Sequence, residues 1–248
     1  MFGHSMMQNR VGNILALSLM LFGAFAISFS LAGAVQEPIS LVSCATLDQP
    51  DTTYVLTRSL TNRMGTCFTI TASGVVLNGN GFSIAGDNSG VDYGVYIQSA
   101  NNVVVKNFAG IQSFNDGVYL YSNPQNALVT SNVIGPNSRS GVALGQASLG
   151  NIIEGNTIKN NPFGVYIDDV YVQQNIIRNN VFANNTNGAY LKGQNADFNK
   201  LIGNTFTGTS NHSIILLGGS TEVRSNTIRG TTLSNDLNVA GVFVSSTD

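Results

Sequence analysis

From Cys67 to Val244 the chain is written in short alternations of apolar and polar residues, each broken after three to six positions by Gly, Asn or Ser. Alternation with period two predicts strands, and the interruptions leave no stretch long enough for a useful helix. The pattern also recurs. Gly94-Val95-Tyr96-Ile97, Gly117-Val118-Tyr119-Leu120, Gly141-Val142-Ala143-Leu144, Gly164-Val165-Tyr166-Ile167 and Gly188-Ala189-Tyr190-Leu191 are spaced 23, 24, 23 and 24 residues apart, and degenerate copies stand at Ser213-Ile214-Ile215-Leu216 and Gly241-Val242-Phe243-Val244. A second motif, Asn followed at the second position by Ile or Phe, recurs at Asn80, Asn132, Asn156, Asn180, Asn204 and Asn226, with Asn107 holding the place in a divergent unit.

A unit of about 24 residues cannot bury its own apolar face, so the units must stack, with equivalent strands pairing in parallel about 4.8 Å apart. The pattern therefore predicts an all-β parallel β-helix of about seven coils, on the order of 35 Å long. In Gly-Val-x-Ile the Val and Ile point inward and x points out. The predicted interior column of the Asn-linked strands is Leu77, Val104, Val129, Ile153, Ile177, Leu201 and Val223. The repeated Asn and Gly are read as corner residues: a short polar side chain tolerates left-handed backbone, and stacked amides hydrogen-bond from coil to coil.

The pattern is different at the start. After Arg10 an uncharged apolar run extends from Val11 to Ala34 and ends in Ala32-Gly33-Ala34, a small-x-small cleavage signature. Residues 1–34 are read as a secretory signal peptide cleaved before Val35, with an uncleaved membrane anchor as the alternative. Residues 35–66 then form an N-terminal cap and lead-in segment, and residues 67–248 the repeats. The reading makes the protein secreted, periplasmic or attached to the cell surface, touching membrane only through an uncleaved leader. Export to an oxidising compartment makes Cys44 and Cys67 a disulfide rather than a metal pair.

Composition narrows the functional classes. Only 10% of residues are charged against 43% hydrophobic, and 11 Lys and Arg face 13 Asp and Glu for a net charge of -2. No electrostatic footprint for phosphates exists, so no nucleic-acid partner is expected. The 27 Gly and 31 Asn accompany many β-branched residues and so mark turns, not disorder.

With these motifs the chain resembles the right-handed parallel β-helix repeat family, which includes NosD-like proteins and the carbohydrate-binding and sugar-hydrolase repeats related to pectate lyases. The resemblance runs from about Cys67 to Val244. Upstream, Thr53-Tyr54-Val55-Leu56, Cys67-Phe68-Thr69-Ile70 and Val76-Leu77-Asn78-Gly79-Asn80-Gly81 are similar to the lead-in of exported members. The partner expected, from the outward tyrosines below, is a polysaccharide or cell-surface glycan; the resemblance itself specifies the fold. It does not imply a reaction, because this solenoid hosts lyases, hydrolases, epimerases, adhesins and proteins with no chemistry.

Stacking brings residues about one unit apart into contact, so candidate sites can be enumerated. Asp92, Asn115 and Arg139 share a column before the glycines, with Asp116 one step on; Gln98, Tyr121, Gly145, Asp168 and Lys192 share another. Asp116, Arg139, Asp168 and Lys192 are thus the candidate acid, base and charge-stabilising groups, with Asp168 and Lys192 as neighbours. The bland alternative is an exposed cross-strand ion pair. A His-assisted nucleophile is excluded from the exported chain, which holds only His212, read as a surface or turn residue, and copper handling is excluded by the scarcity of soft ligands. No metal site is assigned. Calcium at Asp168-Asp169 is the one cofactor left open, without an Asp-x-Asp ladder to support it. The outward x positions give Tyr96, Tyr119, Tyr166 and Tyr190 in a stripe with Ala143 as a gap and Tyr121 alongside, and flat rings with hydroxyls suit sugars. The expected function is glycan binding by this tyrosine-lined face. A lyase, hydrolase or epimerase, and a purely structural or adhesive solenoid, are the competing readings.

Overall fold

The computed structural model describes residues 36–217, 219–230 and 241–245. Among these, strands of two to six residues join into three parallel sheets of nine, eight and nine strands. The signal peptide and its cleavage point before Val35 lie outside the described residues.

Each coil visits the sheets in turn, as in Ile152–Glu154 of the first, Thr157–Lys159 of the second and Phe163–Asp168 of the third. The lead-in segment belongs to the same stack: Ile39–Leu41 pairs with Thr53–Leu56, and Ala45–Leu47 with Phe68–Ile70. The degenerate copies also keep register, with Ala189 opposite Ile214 and Ile214 opposite Val242. Corners are set by left-handed backbone, carried at Asn80, Asn107, Asn160, Asn179 and Asn184 by asparagine, whose short amide tolerates positive φ.

Inward residues alternate with outward ones as the pattern predicts, with one correction. The observed column is Leu77, Val105, Val129, Ile153, Ile177, Leu201, Val223. Val105 is buried there and Val104 faces out, half-buried. Three successive valines make the local alternation silent on phase, and this coil is longer than the repeat, placing Leu77 opposite a residue 28 positions on.

The Asn motif gives a buried ladder. Each Nδ2 of Asn132, Asn156, Asn180 and Asn204 donates to the Oδ1 of the next member, at 3.0 to 3.1 Å, ending on Asn226. Asn80 and Asn107 stand outside it: the position below Asn132 is filled by Phe108, whose backbone N–H donates to Asn132 Oδ1. Two further ladders, Asn137-Asn161-Asn185 and Asn151-Asn175-Asn199, line the other corners. The interior also stacks Phe182 on Phe206, centroids 4.6 Å apart and nearly parallel. At the first coils Cys44 is bonded to Cys67, a link across 23 residues that stabilises the stack by about 3 to 4 kcal/mol in chain-entropy terms.

Candidate functional site

The outer face of the third sheet holds the candidate residues. Its register places Tyr96, Tyr119, Ala143, Tyr166 and Tyr190 directly over one another, continuing to Ile215. Within each pair of tyrosines the rings stack: Tyr96 on Tyr119 at 5.7 Å and 19°, Tyr166 on Tyr190 at 5.3 Å and 15°. This changes what the stripe offers. Ring faces are spent on one another, so edges and hydroxyls face the solvent instead of the flat platforms the sequence pattern promised.

Two aromatic residues absent from the sequence-based candidates brace these stacks. Tyr93 packs 5.1 Å from Tyr96 and 4.8 Å from Tyr119, while Phe163 packs 4.8 Å from Tyr166 and 5.3 Å from Tyr190. Both lie three residues before a stripe tyrosine, a spacing visible in the sequence once the two columns are read together.

At Ala143 the ladder has no ring, and Arg139 supplies the missing step. Its guanidinium carbon stands 5.7 Å from the Tyr119 centroid and 5.3 Å from that of Tyr166, between the two stacks. Arg139 is fixed there by Asp116 in the preceding coil: Nε donates to Oδ1 at 2.9 Å and Nη2 to Oδ2. Asp116 is fully buried and also accepts from Ser140 Oγ and from Asn115 Nδ2. Burial opposes the charge on Arg139, but the hydrogen bond and field of Asp116 outweigh it and hold the guanidinium firmly protonated. Asp92, in the same column, is not drawn into this pair. Its Oδ1 accepts from the Asn115 N–H at 3.1 Å, its Oδ2 is buried with no partner among the described residues, and burial raises its pKa.

On the other side of the stripe, Tyr121 lies beside Tyr119 at 5.3 Å, and Gly145 follows it in the column. A Cβ at Gly145 would meet Tyr121 Cδ2 at 2.6 Å and Tyr119 Oη at 2.8 Å, so this packing requires glycine. Asp168 and Lys192 are paired at 3.4 Å as their register dictates, and Tyr166 Oη donates to Asp168 Oδ2 at 2.8 Å. Burial, then that hydrogen bond, pushes the Tyr166 hydroxyl up to about 12; burial also raises Tyr119, Tyr96 and Tyr190. These groups stay protonated donors across the physiological range. Asp169 accepts from the backbone N–H groups of Gln146 and Val170. Between Tyr119 and Tyr166, floored by Ala143 and Gly145 and edged by Asp168, Asp169 and Arg139, is a notch of about 50 Å³.

Four of the sequence-based candidates, Arg139, Tyr119, Tyr166 and Asp168, therefore meet at one place. Tyr96 and Tyr190 flank it, Tyr121 and Lys192 border it, and Asp116 lies beneath. His212 is elsewhere, edge-on to Phe243 at 5.4 Å. Among the described residues no three His, Cys, Asp or Glu side chains converge as a metal-binding group.

A parallel solenoid with one chemically distinct outer face defines a class before it defines a protein. The class has a family: residues 67–232, more than half the chain, match the right handed beta helix region, and the chain belongs to that family. Among solved structures it is similar to an alginate lyase from Paenibacillus sp. str. FPU-7, with TM-score 0.58 and 15% identity over 86% of this chain and 84% of that one. It is also similar to a DFA-IIIase from Arthrobacter chlorophenolicus A6 in complex with GF2, with TM-score 0.51 and 13% identity over 95% and 88%. At these identities the likeness is one of fold. No curated protein matches the chain.

Proposed function

We propose that the protein is an exported glycan-binding solenoid that holds a polysaccharide along the tyrosine-bearing face of its third sheet. The observation that carries this reading is the row of protonated tyrosine hydroxyls on four coils, interrupted at Ala143 and joined to the Asp168–Lys192 pair beside the side-chain-free Gly145. Phenolic hydroxyls and the Asp168 carboxylate lie there side by side, which gives sugar hydroxyls both donors and an acceptor. The alginate lyase and the DFA-IIIase support sugars as the ligand class for this scaffold. The disulfide supports export, to the medium, the periplasm or the cell surface.

Binding rather than turnover fits the shape. A notch of about 50 Å³ is far below the roughly 300 to 1,000 Å³ of substrate pockets. Asp116, the most deeply placed carboxylate, is committed to Arg139 and Ser140. Calcium has no part in this reading, in which Asp168 is answered by Lys192, and retention should persist in chelator.

The test is a glycan array followed by titration of retained glycans with the Tyr119→Phe/Tyr166→Phe double variant. Phenylalanine keeps the ring stacks and removes only the hydroxyls, so affinity should fall by about tenfold or more while the melting temperature holds. Unchanged affinity, or no retention of any glycan, overturns the proposal.

A further inference from the structure

The notch beside Ala143 has a charge balance and a size that together discriminate between sugars. Two cations, Arg139 and Lys192, face three carboxylates, Asp116, Asp168 and Asp169. Asp116 answers Arg139 and Asp168 answers Lys192, which leaves Asp169 as the charge with no cation partner among the described residues. The two oxygens of Asp169 each accept one backbone N–H, so further lone pairs stay free toward the notch it lines. Opposite stands the Tyr119 hydroxyl, a donor with no hydrogen-bond acceptor among the described residues and a pKa raised first by burial. The lining is thus acceptor-rich, carries one net negative charge and offers a phenolic donor across the gap.

The volume, about 50 Å³, has room for roughly two or three heavy atoms and not for a ring. Resting on the glycan-binding reading above, we propose that the notch seats the exocyclic hydroxymethyl group of a neutral hexose unit, so that the face selects neutral hexose polymers over uronates and pentoses. The hydroxymethyl oxygen donates its proton to Asp168 or Asp169 and accepts from Tyr119. A pentose places nothing in the notch. A uronate places a carboxylate there, which has no proton to donate and meets the uncompensated Asp169.

Gly145 explains why this occurs at one coil only. In the same column Tyr121 and Asp168 carry side chains below and above, while the missing side chain at Gly145 lets Tyr121 and the Tyr119 hydroxyl close in, which sets that hydroxyl at the edge of the notch. With Ala143 replacing the tyrosine of its own column, two adjacent strand positions are pared back together.

The experiment titrates the intact protein with matched β-1,4-linked oligomers of glucose, xylose and glucuronic acid, at low and high salt, alongside the array. Glucose oligomers should bind at least about tenfold more tightly than glucuronic acid oligomers at low salt, with the gap narrowing as salt rises and xylose between them. Asp169→Asn should recover much of the glucuronic acid affinity. Gly145→Ala pushes the Tyr119 hydroxyl and the Tyr121 ring off their places at the notch and should bring glucose down to the xylose value, with a melting curve to show that the fold persists. Equal affinities across the series, or tightest binding to the uronate, overturn the notch and leave the glycan-binding face standing. If no oligomer binds and the array is blank, the glycan-binding face falls too.

Discussion

The outer faces of the first and third sheets are built by the same repeat, yet they carry different chemistry. On the first sheet Val76, Val104, Leu128, Ile152 and Ile176 form an outward, half-buried aliphatic ladder. On the third sheet the matching ladder is tyrosine. Both are unavoidable consequences of stacking a repeated unit, since any residue favoured at one position recurs above itself. A column of like residues is therefore weak evidence of a ligand. The third sheet stands out because its column breaks: Ala143 interrupts the rings, Gly145 lets Tyr121 and the Tyr119 hydroxyl close over the neighbouring position, and Arg139 enters from a third column to bridge the stacks.

The two faces also hold contrasting ion pairs, and these give the sharpest way to break the comparison. Arg139–Asp116 has a fully buried carboxylate, whereas Arg178–Glu154 on the first sheet is partly exposed on both sides. Asp116→Ala should cost about 3 to 5 kcal/mol, because it strands a half-buried guanidinium and the Ser140 hydroxyl. Glu154→Ala should cost about 0 to 1 kcal/mol. Urea denaturation of the two variants side by side decides it; equal midpoints would mean that the bridge beneath the tyrosines is ornamental.

A smaller effect separates the ladders by function. Exchanging Ile152 and Ile176 together for Thr should leave glycan affinity within about twofold, against the tenfold loss expected for the hydroxyl-free tyrosine variant. Loss of binding in the first-sheet variant at unchanged stability would move the site to that sheet.

Alkaline titration sharpens the picture further. The folded pKa of Tyr166 is raised from 10.0 to about 12, so its contribution to stability is complete below pH 10 and is lost as pH climbs from 10 through about 12. Phenolate absorbance should rise late, together with unfolding, and Tyr166→Phe should remove part of that dependence. The smallest effect belongs to Asp92. Its folded pKa is raised above 3.8, so its contribution is complete below that pH and is lost as pH rises through the folded value. Asp92→Asn keeps an acceptor for the Asn115 N–H and should slightly stabilise the protein at neutral pH while flattening the acid limb of its stability curve.

Much of this was legible in the chain because a solenoid converts sequence spacing directly into spatial adjacency. The Tyr96, Tyr119, Ala143, Tyr166, Tyr190 column and the Asp168–Lys192 contact follow from the period alone. Spacing fails where phase is locally degenerate, as in Val103-Val104-Val105, and where a coil departs from the mean length. It also cannot say where a long side chain turns. Arg139 shares a column with Asn115 and Asp92 but reaches sideways to Asp116, a choice made by hydrogen-bond geometry between columns. Nor does spacing reveal that rings one coil apart consume each other's faces; that follows from the tilt of the side chains, seen only in three dimensions.

The pared-back coil at Ala143 and Gly145 has a further consequence for how such a protein can change. From Tyr96 to Tyr190 the units are 23 or 24 residues long, so this stretch can grow or shrink by whole modules while its neighbours keep register. Excising the single module 122–145 would set Tyr119 directly beneath Tyr166, fuse the two stacks into one unbroken column and delete both Arg139's station and the opening beside it. One duplication or loss of 24 residues could thus create or erase a recognition site in a single genetic event, while the scaffold around it stays as it was.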